Sequence, residues 1–137
     1  MKTITVCLVG FGNVGKALVR LLDKKQPVLR DQFGFETRVT GIATARHGCA
    51  LDPNGLDALK AIQLADDGQS LETLTKITVP NNNIDFIKHC KSDVMFENTP
   101  VNHHSGQPAT DHLRTALECG MHAITANKGP VAHHYAE

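Results

Sequence analysis

Four short segments of this 137-residue chain carry residue types that could do chemistry: Gly10-Phe11-Gly12-Asn13-Val14-Gly15, Thr44-Ala45-Arg46-His47, Glu97-Asn98-Thr99-Pro100 and Thr125-Ala126-Asn127-Lys128-Gly129-Pro130. The first has the Gly-x-Gly-x-x-Gly spacing of a phosphate-binding turn, and its glycines have separate tasks. Gly10 permits a tight turn, Gly12 lets the main chain approach a pyrophosphate with no side chain between, and Gly15 lets the following helix pack closely on the preceding strand. The start of that helix offers free N–H groups to the anion. The spacing also occurs by chance in flexible turns. Between an apolar run and a helical period, however, it predicts a dinucleotide site.

The second segment follows a predicted strand at the position where NAD-preferring folds place Asp or Glu to hold the ribose 2′-hydroxyl. A carboxylate there would repel a 2′-phosphate. Arg46 can instead make charge-assisted bonds to one, and Thr44 can add a hydroxyl donor. The expected cofactor is therefore NADP(H), with NAD(H) as the alternative; the plainer reading of Arg46 is an exposed loop arginine. In the last segment Lys128 is the one lysine of the four. A lysine amine in a partly desolvated cleft can transfer a proton or polarise a carbonyl, although a lone loop lysine is usually surface charge.

These segments need a scaffold that brings them together. Residues 3–9 form an apolar, β-branched run that ends at the glycine turn. Beyond it Val14, Ala17, Leu18, Leu21 and Leu22 recur with a helical period, predicting a helix with those five on its buried face. A charged stretch through Pro27 and Gly34 leads to a second strand, Arg38 to Ala43. No two-residue hairpin signal separates the two runs, so the helix is a crossover between parallel strands. Residues 44–55 read as loop. A helix around Leu56, Leu59 and Ile62 starts at Asp52-Pro53. A short helix starts at Ser70, and Ile77-Thr78-Val79 is a candidate strand.

Residues 83–90 read as a short helix carrying Ile84 and Ile87, and Asp93 to Glu97 as the next strand. After a loop at 98–106, Pro108 opens a helix with Leu113, Ala116 and Leu117 on one face and Gly120 as its C-terminal cap. His122 to Thr125 is a last strand, and a further helix starts near Tyr135. This alternation predicts an α/β fold: one Rossmann-like domain over 1–137, a doubly wound parallel sheet with helices on both faces. In such a sheet the segments following the strands meet at one edge, where ligands bind.

Composition narrows the partners. Fourteen basic and fourteen acidic side chains cancel and are interleaved, so no charge footprint points to nucleic acid or an anionic membrane. The N-terminal apolar run is far shorter than the roughly 18 residues of a membrane span and no signal-peptide cleavage pattern follows, which predicts a cytoplasmic protein. Cys7, Cys49, Cys90 and Cys119 contain no Cys-x-x-Cys pair and read as reduced, packed thiols. The pairs His103-His104 and His133-His134 point apart in either regular structure, so no metal site is expected.

In order and spacing, the glycine turn, Glu97-x-Thr99-Pro100, Ser105-Gly106-Gln107-Pro108-Ala109 and Thr125-Ala126-Asn127-Lys128-Gly129-Pro130 resemble homoserine dehydrogenase over the whole chain, and the Thr-Ala-Asn-Lys segment is the most specific piece. The resemblance implies reversible hydride transfer between NAD(P)H and the aldehyde carbon of L-aspartate 4-semialdehyde, giving L-homoserine on the route to threonine and methionine. By the same matching Lys128 assists the chemistry, and Gly10, Phe11, Gly12, Asn13, Val14 and Gly15 follow the pyrophosphate. Thr99 and Pro100 flank the nicotinamide and its ribose, Asn127 shapes the pocket, and Asn98 counts with them among the cofactor-binding residues. Many members carry Asp or Asn and then Ser-Arg where this chain has Thr44-Ala45-Arg46, a departure that favours NADP(H). Members also continue into a substrate-binding and dimerisation region that makes them homodimers. These 137 residues are therefore expected to bind cofactor without turnover. A stand-alone NAD(P)-binding sensor or assembly module is the alternative; a different amino-acid aldehyde or an imino acid as substrate is a third reading.

Overall fold

The N-terminal run forms β1 (Lys2–Val9), whose last four residues are buried on both faces, as the central strand of a parallel sheet requires. The computed structural model describes residues 1–78 and 82–137. Within it β1 pairs in parallel with β2 (Phe35–Ala43) on one side and β4 (Val94–Glu97) on the other, and β4 pairs in parallel with β5 (His122–Thr125). A short β3 (Cys49–Leu51) runs antiparallel along the outer edge of β2, giving the order β3-β2-β1-β4-β5. The chain leaves β1 toward β2 and returns on the opposite side to β4, so the order reverses between β1 and β4. A crevice opens at such a switch point, outside the carboxyl ends of the strands.

The alternation of side chains along β1 divides the interior into two layers. Val6 and Leu8 pack with Val19 of α1 (Asn13–Val28) and with Ala61, Ile62 and Leu64 of α2 (Ala58–Asp66). Cys7 and Val9 point the other way, among Phe86 and Ile87 of α3 (Asn83–Cys90) and Ala116 of α4 (Ala109–Glu118). Helices cover both faces, as expected. All four cysteines are free, Cys7 and Cys90 being buried. Among the described residues no helix is long and apolar enough to cross a membrane.

Several local expectations are corrected. The sheet is mostly rather than wholly parallel, because β3 arises inside the stretch read as loop; three residues are too few to show an alternation. Ile77 and Thr78 lie in no strand, and Val79 falls outside the described residues. The first helix continues through Pro27 to Val28 and then through a π-helical turn, Leu29–Phe33, so β2 starts at Phe35 rather than Arg38. Gln26 on that helix pairs its side-chain amide with the backbone of Thr37, fixing the start of β2.

The face of α1 is also turned relative to the predicted one. Gly15 and Val19 are buried, Leu18 and Leu22 are half-buried, and Val14, Ala17 and Leu21 are exposed. Gly15 sets this rotation, since a Cβ on it would stand 2.8 Å from the Gly10 carbonyl oxygen. Helix α2 starts at Asp57, whose carboxylate accepts from the Lys60 N–H at 3.0 Å, rather than at Asp52-Pro53; Leu59 faces solvent. Ser70 does open a helical turn, Leu71–Leu74. On α4 Ala116 is buried and Leu113 half-buried, but Leu117 is exposed. The final helix, α5 (Lys128–His133), begins at Lys128 and not near Tyr135.

One position couples these elements through backbone alone. Gly10 has φ +99, and a Cβ there would lie 2.6 Å from the Asn98 carbonyl carbon and 2.8 Å from the Thr99 nitrogen. No flexible side chain can yield. Gly10→Ala should therefore cost about 3 kcal/mol of stability in urea denaturation, from left-handed strain plus overpacking. Gly12→Ala, with nothing within 4 Å of the added carbon, should cost less than about 1 kcal/mol. Equal losses at the two positions would contradict this account of the turn.

Candidate functional site

Two adjoining cavities open at the carboxyl edge of the sheet, over the switch point. The first, about 340 Å³, is walled by the glycine turn at Gly10 and Gly12 and by Thr44, Arg46 and His47. The second, about 380 Å³, lies over Val14, Glu97, Asn127 and Lys128. Asn98 and Thr99 belong to both, so the two form a continuous cleft with volumes in the range of ligand sites. Its walls are set by the ladder: the Gly10 N–H donates to the Ala43 carbonyl at 2.9 Å and the Asn98 N–H to the Val9 carbonyl at 2.8 Å.

Most of the predicted residues meet here, though not all in the same way. Gly12 presents bare backbone to open space, and Asn13 opens α1 beside it. Val14 is exposed and lines the second cavity. Phe11 is buried in the core under the first cavity, and Gly15 packs beneath the turn rather than lining the cleft. Pro100 lines the first cavity, and Arg46 reaches it from an exposed position with no ion-pair partner among the described residues.

Thr44 departs from expectation. Its hydroxyl donates its one hydrogen to the Gly48 carbonyl at 2.7 Å and accepts from the His47 N–H at 2.7 Å. It fixes the loop that carries Arg46 and has no second hydrogen to offer a phosphate. Lys16, which carried no expectation, also lines this cavity, with its ammonium 2.8 Å from Asp66.

Glu97 stands in a segment that the sequence singled out, but sequence reasoning gave it no role. It ends an apolar strand, is fully buried, and its carboxylate gathers the site. Oε1 accepts from the Thr99 N–H at 2.8 Å and from the Thr99 hydroxyl, and Oε2 accepts from the Thr125 hydroxyl at 3.0 Å. The Thr125 hydroxyl in turn accepts from the Asn127 N–H at 2.9 Å, while the Asn127 amide donates back to the Thr99 carbonyl at 3.1 Å. Glu97, Thr125, Asn127 and Thr99 therefore close a ring. From α4 the buried His112 places Nδ1 3.8 Å from Oε1. Burial is the largest influence on Glu97 and acts to raise its pKa, but His112, Thr99 and Thr125 together outweigh it and hold the carboxyl below its ordinary value. The available signal was a lone carboxylate at the end of an apolar strand, which must find donors if buried.

The ring also sets Lys128. The Asn127 side chain accepts from the Gly129 N–H at 3.0 Å, capping α5 with Lys128 as its first residue. Gly129 and Gly106 meet backbone to backbone: a Cβ on Gly129 would be 2.9 Å from the Gly106 Cα. The second histidine pair, at the end of α5, tethers the loop that precedes α4. His133 and His134 donate from Nε2 to the carbonyls of His103 at 2.7 Å and Ser105 at 2.8 Å, binding the loop after β4 to α5. Lys128 itself is exposed above the second cavity, so the described residues do not supply the desolvation a cleft lysine was expected to have.

The cleft fits a dinucleotide in two independent respects. Gly12 leaves room where a phosphate would approach the backbone, and the Asn98 Nδ2 is buried without a hydrogen-bond partner, which a bound acceptor would satisfy. Among the described residues no cluster of three His, Cys, Asp or Glu side chains could hold a metal ion.

Comparison with known proteins agrees with this geometry. The chain is 36% identical over 137 residues to an NAD(+)-dependent homoserine dehydrogenase of Pseudomonas canavaninivorans, covering 100% of this chain and 39% of that protein. It is 36% identical over 132 residues to a homoserine dehydrogenase of Methanocaldococcus jannaschii, covering 96% of this chain and 39% of the relative. Among solved structures, a hyperthermophilic archaeal homoserine dehydrogenase in complex with NADPH superposes with a TM-score of 0.76 at 25% identity, covering 97% of this chain and 38% of that one. Homoserine dehydrogenase from Thermoplasma acidophilum superposes at 0.73 with 27% identity, covering 98% and 38%. The chain thus spans about two fifths of the relatives it matches. Residues 10–137 match the family described as homoserine dehydrogenase, NAD binding domain, and the chain belongs to that family.

Proposed function

We propose that this chain is the cofactor-holding domain of a homoserine dehydrogenase that interconverts L-homoserine and L-aspartate 4-semialdehyde, and that residues 1–137 bind the nucleotide but need the family's substrate and dimerisation region for turnover. The observation that carries this reading is the placement of the glycine turn, the Thr99-Pro100 loop and Lys128 around one cleft at the switch point. The bound nucleotide supplies the hydride acceptor or donor. Gly10, Gly12, Asn13 and Val14 hold its pyrophosphate, with the α1 N-terminus facing the charge. Asn98, Thr99 and Pro100 shape the wall for the nicotinamide half, and Asn127 fixes the turn that carries Lys128. Lys128 assists proton movement at the substrate oxygen once the family's substrate region covers it. The free thiols fit a reducing, cytoplasmic setting.

Preference for NADP(H) rests on Arg46. One relative is named for NAD(+) and one structural neighbour carries NADPH, so the choice belongs to this chain's own residues. The segment that follows β2, Thr44 to Gly48, carries no carboxylate of its own, and its guanidinium is in no ion pair among the described residues. Thr44 acts by holding that loop.

The exposure of Lys128 is the observation that favours the second reading, a binding module without catalysis. Two measurements separate these ideas. In calorimetric titration Arg46→Ala should weaken NADPH about tenfold while changing NADH by less than about twofold, as expected for loss of charge-assisted bonds to a 2′-phosphate. A parallel change in both, or no change, would remove Arg46 from the specificity argument, and wild type that binds neither nucleotide would leave the family relationship as ancestry alone. When the domain is joined to a substrate region, Lys128→Met should lower kcat about 100-fold or more. Unchanged turnover would assign Lys128 to the surface.

A further inference from the structure

We infer that Glu97 is a positioning residue: through its two carboxylate oxygens it sets the nicotinamide-side loop and the start of the Lys128 helix against one another. The inference rests on the cofactor reading above and adds a device internal to it. Oε1 takes both donors of Thr99, on the loop that leaves β4, while Oε2 takes the hydroxyl of Thr125, at the end of β5. Asn127 joins the far sides of these two segments by donating to the Thr99 carbonyl. Every hydrogen-bonding partner of the carboxylate therefore lies on a segment that lines or leads to the second cavity.

A merely structural reading would treat Glu97 as one more core position at the end of a strand. The chemistry argues otherwise. An apolar residue could fill the same space without the desolvation cost of a buried carboxylate, and such a group is tolerated only with its lone pairs satisfied. Here they are satisfied by groups whose relative placement decides where Thr99 and Lys128 stand, and geometric errors near 1 Å are enough to damage a reactive site. The first cavity is built differently. Thr99 borders both cavities, but the loop that carries Arg46 holds itself: the Thr44 hydroxyl bonds only to Gly48 and His47, neither of which belongs to the ring. Loss of Glu97 should consequently disturb the nicotinamide half of the cleft and spare the adenosine half.

The test compares two probes on the purified 137-residue chain by calorimetry: NADPH, and adenosine 2′,5′-bisphosphate, which lacks the nicotinamide half. Glu97→Gln and Thr125→Val should each weaken NADPH about tenfold and change the bisphosphate by less than about twofold. Thr125→Ser, which keeps the hydroxyl, should recover most of the NADPH affinity lost in Thr125→Val. If Glu97→Gln does not fold by far-UV circular dichroism, the Thr125 pair decides the matter, since it leaves the carboxylate in place. Parallel weakening of both probes, or no weakening of either, overturns the positioning role while leaving the cofactor reading intact. Wild-type protein that binds neither probe overturns both.

Discussion

Everything distinctive about this site depends on keeping one carboxylate out of water. An ionised carboxyl buried without partners costs several kcal/mol or more, and Glu97 is fully buried at the carboxyl end of β4. The structure meets that cost with donors from Thr99 and Thr125 and with His112 beside it. Because those donors sit on two different strand-end segments, satisfying the charge and assembling the cleft are the same event. The negative charge is retained because these partners outweigh burial, which acts in the opposite direction.

The sheet supplies the frame in which this can happen. Val6 and Leu8 against Cys7 and Val9 anchor the two helical layers, and the reversal of order at β1 leaves the ends of β1 and β4 side by side. Close backbone contacts then replace side chains where the layers converge. Gly10 lies against Asn98 and Thr99, Gly15 lies under the Gly10 carbonyl, and Gly106 meets Gly129. These contacts explain why the glycine turn and the two downstream segments occur together. In each contact the glycine supplies a side that no residue with a Cβ could supply at that distance.

Much of this was legible in the sequence, and the exceptions have identifiable causes. The strands ending at Val9, Ala43 and Glu97 were readable because buried parallel strands are short apolar runs bounded by turn residues, and the edge strand ending at Thr125 because it follows the glycine that caps α4. The rotation of α1 was not, because Val14, Leu21 and Leu22 satisfy the helical period as well as Val19 does. Only the contact of Gly15 with the Gly10 carbonyl chooses between the two faces. The strand Cys49–Leu51 carries too few residues to show a pattern and exists because β2 offers it an edge. Thr44 lines the cleft, but its hydroxyl turns inward to Gly48, a choice made by local turn geometry that residue type does not show.

The amino-acid sequence alone determined the α/β alternation, the glycine turn and the strand-end segments that carry Arg46, Thr99 and Lys128, because these depend on local spacing and residue type. Only the tertiary structure decided that Glu97, Thr99, Thr125 and Asn127 close a ring, since members 28 residues apart meet only after β4 and β5 pair. It also decided that Lys128 is exposed and heads a helix. Hydrogen bonds between distant segments leave no period in a sequence; they follow from how the layers pack.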